Sequence, residues 1–557
     1  MAQAEWEAME REVRDLANRV AQLEVYLGLA ASRAAAPPAA PGAAAAAFTP
    51  PAEASIFPLA GRALLGLAGA YLLRSLAESG YLPPRIGSAA GILYAMAWLV
   101  LAARAPAAKR LEAAIHSLTA GLILSPLLWE ATLKFHTISP WSAAATLMVF
   151  GIFGLAVSWR KNLLIVATIA TLAVLGASGA LLVASHDVPP FTTVFLTMAA
   201  AVELSACLDH WLNERWLAAV AADLSVLLAA WLVTNEHGLP EIYAPISHAW
   251  LIGALFALLA IYLASTIVRT LLRGFVFTGF EIAQSVIVFA IVLNGILRLS
   301  ATDPRLAPAL GALVLAGGAG CYLVSFLLLD RLGAPARNFY TYSAFAIVQV
   351  LAGTGILLSG STDAAWYLLA IAAAAAGRFY NRTTLAGHAA VFLLLALAYS
   401  GTLTQAVAML LGSAEWEAAR PLVLGMGALA TVAVYALTTR TVLPVRIVMA
   451  GATALLCAGI LAGSLTAAYH YFVGPATNHA YCATLRTAVI SSLSLLLAWS
   501  AARWKRLELS RLIYPAMILG AYRLVTQDLH QEKAALFLSL LVYGGALTAL
   551  PRLKSPS

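Results

Sequence analysis

The sequence predicts an all-α fold: a polytopic transmembrane helical bundle of about eighteen spans (roughly 16–20) with a short N-terminal coiled-coil helix. Three observations predict it. Of 557 residues, 62% are hydrophobic and only 11% charged, against about 25% charged in an ordinary soluble domain. Mean hydropathy is +0.85, more apolar sequence than a water-facing exterior allows, so lipid is the solvent that fits. From Phe57 onward, apolar stretches alternate with short polar breaks, and basic residues alternate with them.

The first 29 residues are of a different kind. Trp6, Met9, Val13, Leu16, Val20, Leu23 and Leu27 recur at spacings of three and four with Glu and Arg between them. That is a heptad stripe. At about three heptads it is close to the minimum length for a stable helix pair. Residues 6–27 are therefore expected to self-associate or to bind a cytoplasmic partner helix; an amphipathic helix on the membrane surface is the alternative. Residues 30–56 are rich in Ala and Pro and read as a disordered tether. No apolar core resembling a secretory signal occurs in residues 1–29, so the first span is expected to direct insertion.

Residues 57–557 form the membrane domain. Spans are expected near 58–78, 87–103, 113–133, 141–159, 163–184, 190–208, 216–234, 247–268 and 275–297. They continue near 307–329, 339–359, 364–380, 384–400, 421–439, 445–472, 480–502, 511–527 and 533–550. The apolar stretch 402–413 is too short to span and reads as re-entrant or interfacial. Charge checks this count independently. Eighteen Lys and Arg fall in the even-numbered loops, among them Arg215, Arg269 and Arg273. Six fall in the odd ones: Arg85, Lys134, Arg298, Arg305, Arg420 and Lys533. A single missed span would invert every later loop and erase that bias. The even loops and both termini are thus expected on the cytoplasmic side.

The net charge of +8 has the same origin. Basic residues sit singly or in pairs beside apolar segments, so no nucleic-acid partner is expected and the lipid bilayer is the expected surrounding. Cys207, Cys321, Cys457 and Cys482 lack CxxC or Cys/His ligand spacing, which argues against a disulfide framework.

The two ends of the membrane domain carry more specific patterns. PLAGRALLGLAGAYLLRSLAESGYLPPRIGSAAG joins a glycine-rich helix to an aromatic-containing turn, then Pro-Pro-Arg and Gly. AYRLVTQDLHQEKAALFLSLLVYGGALTALPRL joins a basic-aromatic helix to Asp-Leu and a last apolar helix. With the coiled-coil arm and tether, this layout resembles the bacterial multi-pass membrane proteins catalogued as domain of unknown function 2339. The resemblance implies a bacterial inner-membrane protein and carries over no catalytic residues.

Ionisable groups within spans are costly and mark candidate sites. Arg62, Glu203, Asp223 and Glu281 are expected within a turn or two of a cytoplasmic boundary, where they could reach headgroup water. Arg74, Glu130, Arg486 and Arg523 are stronger candidates for partnered intramembrane charges. Arg74 and Glu130 fall at similar depth and are expected to pair, as are Arg523 and Asp528. Glu281, Gln284 and Asn294, with Gln349 on another span, form a polar stripe suited to a pathway or to interhelical hydrogen bonds. Seven of ten His (His136, His186, His237, His248, His470, His479 and His530) fall at the predicted outer face. Neighbours such as Asp187 make His186, His237, His470 and His479 weak metal-ligand candidates, although no HExxH or HxH spacing occurs.

No catalytic or cofactor signature is present: neither a Walker A loop nor a GxSxG elbow. Gly317-Gly318-Ala319-Gly320 lies inside an apolar segment and reads as helix packing. The leading expectation is a non-enzymatic scaffold or sensor; a transporter or lipid flippase comes second. A membrane-embedded glycosyl or lipid transferase comes last, because the outer loop 79–86 has no carboxylate. A cavity converging on Arg74, Glu130 or the outer histidines would reverse the first two.

Overall fold

The computed structural model describes residues 53–106, 109–208, 214–331, 333, 335–413, 420–439, 441–474, 479–530 and 533–554. The expected coiled coil and nearly all of the tether lie outside them. Among the described residues all regular structure is helical. The helices are α1 (Glu53–Glu78), α2 (Pro84–Arg104), α3 (Arg110–Trp129), α4 (Pro140–Lys161), α5 (Leu164–Ser185), α6 (Val188–Cys207) and α7 (Arg215–Val233). Then follow α8 (His248–Ile267), α9 (Gly279–Leu299), α10 (Leu306–Leu323), α11 (Ala336–Leu357), α12 (Thr362–Phe379) and α13 (Thr383–Tyr399). The last are α14 (Thr402–Leu411), α15 (Pro421–Leu437), α16 (Leu443–Val473), α17 (His479–Trp504), α18 (Leu507–Thr526) and α19 (Lys533–Lys554).

Each of the eighteen expected spans coincides with one helix, and α14 is the short extra piece. The first helix starts at Glu53, inside the segment read as tether. By length and composition, 13 helices can cross a membrane, or 14 if the bent pair α13–α14 is one span. Helices α1, α12 and α18 carry charges that lower their hydropathy, such as Arg62 and Arg74 on α1. The described residues thus form a multi-pass helical membrane protein.

The described residues divide between Gly66 and Leu67, and the packing below belongs to those from Leu67 onward. Helices α2 to α10 share one apolar core, with Leu99, Leu128, Phe150, Phe191 and Leu255 sealed inside it. Helices α11 to α16 build another around Ala370, Leu393, Ala406 and Leu456. Large side chains such as Leu93, Val183, Leu368 and Leu429 point outward and are exposed, as expected where lipid tails replace water. Helix contacts rest on small residues, because lipid offers no hydrophobic gain and close packing must supply the attraction. A Cβ on Gly353 would stand 2.9 Å from the Gly311 carbonyl oxygen, where α10 and α11 touch backbone to backbone. A Cβ on Gly459 would stand 2.5 Å from the Ala406 oxygen, fixing α14 against α16.

Three helices end in a π turn: Glu130–Lys134 after α3, Val268–Leu272 after α8 and Val324–Leu329 after α10. Such turns shift the side-chain register by a fraction of a turn. The first two carry residues of the sites below.

Candidate functional site

Helices α1, α2 and α3 enclose a cavity of about 310 Å³, at the small end of ligand-pocket sizes, roughly 300–1,000 Å³. Its body is apolar, walled by Leu67, Ala70, Leu73, Ile123, Leu127 and Phe135. Two features of the sequence open it. Gly87 and Gly91 on α2 present no side chain to it, and a Cβ on Gly91 would come 2.7 Å from Leu127. Pro126 gives α3 no N–H to bond the preceding turn, and within four residues the helix widens into its π turn.

Glu130 is the first residue of that turn, and there it meets Arg74: Nη2 to Oε1 is 2.7 Å. Glu78 receives Arg74 Nε at 3.3 Å and Lys134 Nζ at 3.1 Å. Ser88, on the opposite wall, hydrogen-bonds Thr137 at 2.9 Å. Arg74 and Glu130 line the cavity, and Glu78 and Lys134 extend the same ion-pair lattice beyond its lining. The expected Arg74–Glu130 pair is present, and it lines the cavity.

A second cluster joins α6, α7, α8 and α9. Arg215 donates Nε and Nη2 to Glu203 at 2.9 and 2.7 Å and Nη1 to Glu281 at 3.1 Å. Arg269, in the π turn after α8, donates Nε to Glu281 at 2.5 Å and Nη1 to the Ala206 carbonyl. Ser265 also donates to Glu203. Glu281 doubles as the third residue of a capping box at the start of α9, accepting the Thr278 N–H at 2.8 Å. Deeper in, Gln284 donates Nε2 to both oxygens of Asp223, at 3.0 and 2.8 Å. Forked guanidinium–carboxylate pairs of this kind recover much of what burial of charge costs.

Glu203 lies one turn from the end of α6 and Glu281 in the first turn of α9. With Asp223 they are buried, only 3, 7 and 2% exposed in the order Glu203, Asp223, Glu281. Arg215 and Arg269, counted as loop charges, are buried with them. The pattern Thr278-x-x-Glu281 is a capping-box signature that could have set Glu281 at a helix start. The polar stripe also divides. Asn294 is exposed and accepts from Arg298 at 3.2 Å. Gln349 contacts Cys321 Sγ at 3.6 Å, away from Glu281 and Gln284.

The third cluster explains two lone arginines. Arg523 is fully buried, and its guanidinium donates to the Leu410 carbonyl at the end of α14. It also donates to the Ala483 carbonyl at 3.2 Å and to Thr487 Oγ1 at 3.3 Å, and it lies 3.7 Å from Asp528. Gln527 donates to the Leu411 carbonyl. Arg486 stands against Gly412, whose φ of +79° closes α14 in the left-handed region. Cations here satisfy carbonyls that a helix end leaves unpaired.

The outer histidines do not converge. His186 ends α5 and packs edge-on against Tyr243, and burial raises the pKa of its neighbour Asp187. His237 lies in an exposed turn, and His470 contacts Cys482 Sγ at 3.4 Å. The side chain of His479 is outside the described ones. Among the described residues no group of three or more His, Cys, Asp or Glu is placed to hold a metal. No protein-family model, curated protein or solved structure matches the chain.

Proposed function

We propose that this multi-pass membrane protein binds and moves an amphiphile, a membrane lipid whose tail occupies the cavity between α1, α2 and α3. The observation that carries the reading is the pairing of an apolar cavity with the Arg74–Glu130 ion pair at its mouth. A solid bundle would have favoured a scaffold. One cation and one carboxylate lining the cavity, Arg74 and Glu130, match a headgroup that bears both signs of charge, such as a zwitterionic phospholipid. Each headgroup charge could exchange with one side chain of the lattice without leaving another unpaired. The bias of basic residues supports placing this mouth on the outer side, with the termini in the cytoplasm of a bacterial inner membrane. The motifs at the two ends of the membrane domain support a relationship to domain of unknown function 2339.

Native mass spectrometry of the detergent-extracted protein tests the reading. Retained phospholipid is expected in the wild type, with loss in Ala70→Phe, which fills the cavity, and weakening in Arg74→Ala. Equal lipid retention in wild type and Ala70→Phe would remove it.

A further inference from the structure

Asp223 lies at the ninth of the nineteen positions of α7, near the middle of a span, and it is buried. A carboxylate there is costly unless a cation or a sufficient set of donors meets it. Arg215 and Arg269 are spent on Glu203 and Glu281, and no ion pair reaches Asp223 among the described residues. Its hydrogen-bonding partner is the neutral amide of Gln284. From α8, Tyr262 contributes a buried hydroxyl, 4% exposed, that hydrogen-bonds nothing. That hydroxyl interacts electrostatically with Asp223, Glu203 and Arg215. A phenol buried in an apolar core ordinarily finds a partner, and this orphan lies in the same packed core as Ala222 and Val226, which flank Asp223 on α7.

We propose that Asp223, Gln284 and Tyr262 form a binding site for one monovalent cation, H⁺ or Na⁺, within the membrane-spanning bundle. The site takes a single charge, because one carboxylate that no cation pairs is neutralised by a proton or Na⁺, whereas a divalent ion would leave a buried excess charge. The other charged or titratable groups on the elements packed with it are Glu203 and Cys207 on α6, Arg215 on α7, Arg269 after α8 and Glu281 on α9. Glu203, Arg215, Arg269 and Glu281 pair with one another, while Cys207 contacts Ser265. The inference is independent of the lipid reading, since the cavity shares no residue with this site.

The test is the thermal unfolding midpoint of the full-length protein in detergent, as a function of pH and, separately, of Na⁺ replacing choline at constant ionic strength. Wild type is expected to lose stability as pH rises, if the ion is H⁺, or to gain it with Na⁺, if the ion is Na⁺. In Asp223→Asn, which keeps the shape of a neutral acid, the corresponding dependence should be lost. Parallel wild-type and D223N curves in both series overturn the site. Tyr262→Phe removes a hydroxyl that bonds nothing in the fold and is expected to fold normally with reduced ion dependence. A Y262F protein with full wild-type dependence overturns the three-residue site even if D223N fails to assemble.

Discussion

At the scale of single residues, burial decides what a charge is worth. Arg382 and Asp330 make two short bonds, yet both side chains are partly exposed. Such pairs contribute roughly 0.2–1 kcal/mol. Glu281 is sealed and serves Arg215, Arg269 and the Thr278 N–H together. Removing one partner from a buried ionic cluster costs about 3–5 kcal/mol, because the charges left behind stay buried. Glu281→Gln is therefore expected to lower the thermal midpoint far more than Asp330→Asn, read by unfolding of both proteins in the same detergent. Equal effects would mean that Arg215 and Arg269 find water or other acceptors when Glu281 is neutralised.

At the scale of elements, the short helix α14 shows why an intramembrane arginine need not be catalytic. Its ten residues are too few to hold a helix unaided, and it leaves α13 at a 64° bend. Four carbonyls at such an end would face an apolar interior without donors. Arg523 and Gln527 supply donors to two of them, Leu410 and Leu411, and the Gly412 N–H to a third, Ala408. Arg523→Leu should release this end and leave Asp528 buried without its cation. The expected result is faster amide hydrogen exchange over residues 402–411 than over α16, measured on the same sample. Unchanged exchange in α14 would show that its packing against Gly459 suffices alone. The short apolar stretch was legible in the sequence as a non-spanning piece, and Arg523 and Arg486 were legible as costly. That they meet at the end of that piece was not, because more than seventy residues separate them from it along the chain.

At the scale of the whole molecule, topology depends on a count that local features cannot supply. The helices that fall short of apolar length, such as α12 and α18, are the ones on which the parity of the loops depends. A single crossing by α8 would place the turn after α7 and the turn after α8 on opposite sides. Cysteines introduced at His237 and at Arg273, in a background without the native thiols, should therefore react with an impermeant maleimide from opposite faces of intact cells and inverted vesicles. Labelling of both from one face would remove the assigned parity. Helix positions were legible because lipid demands long apolar runs with internally satisfied backbone, a local property of about twenty residues. The same demand carried the expectation that Arg74 and Glu130 would meet at one depth.

Sequence alone determined that this chain is a helical membrane protein, where its helices lie and which intramembrane charges needed partners. Those facts follow from the solvent, which acts on each segment separately. Only the tertiary structure decided which partners those charges found. It turned Arg215 and Arg269 from loop charges into the core of a buried cluster, separated Asn294 and Gln349 from Glu281, and left the outer histidines apart. It also opened a cavity above which Arg74 and Glu130 pair. The reason is physical: pairing of charges depends on how helices pack and on where π turns rotate a side chain, and neither leaves a period in the sequence.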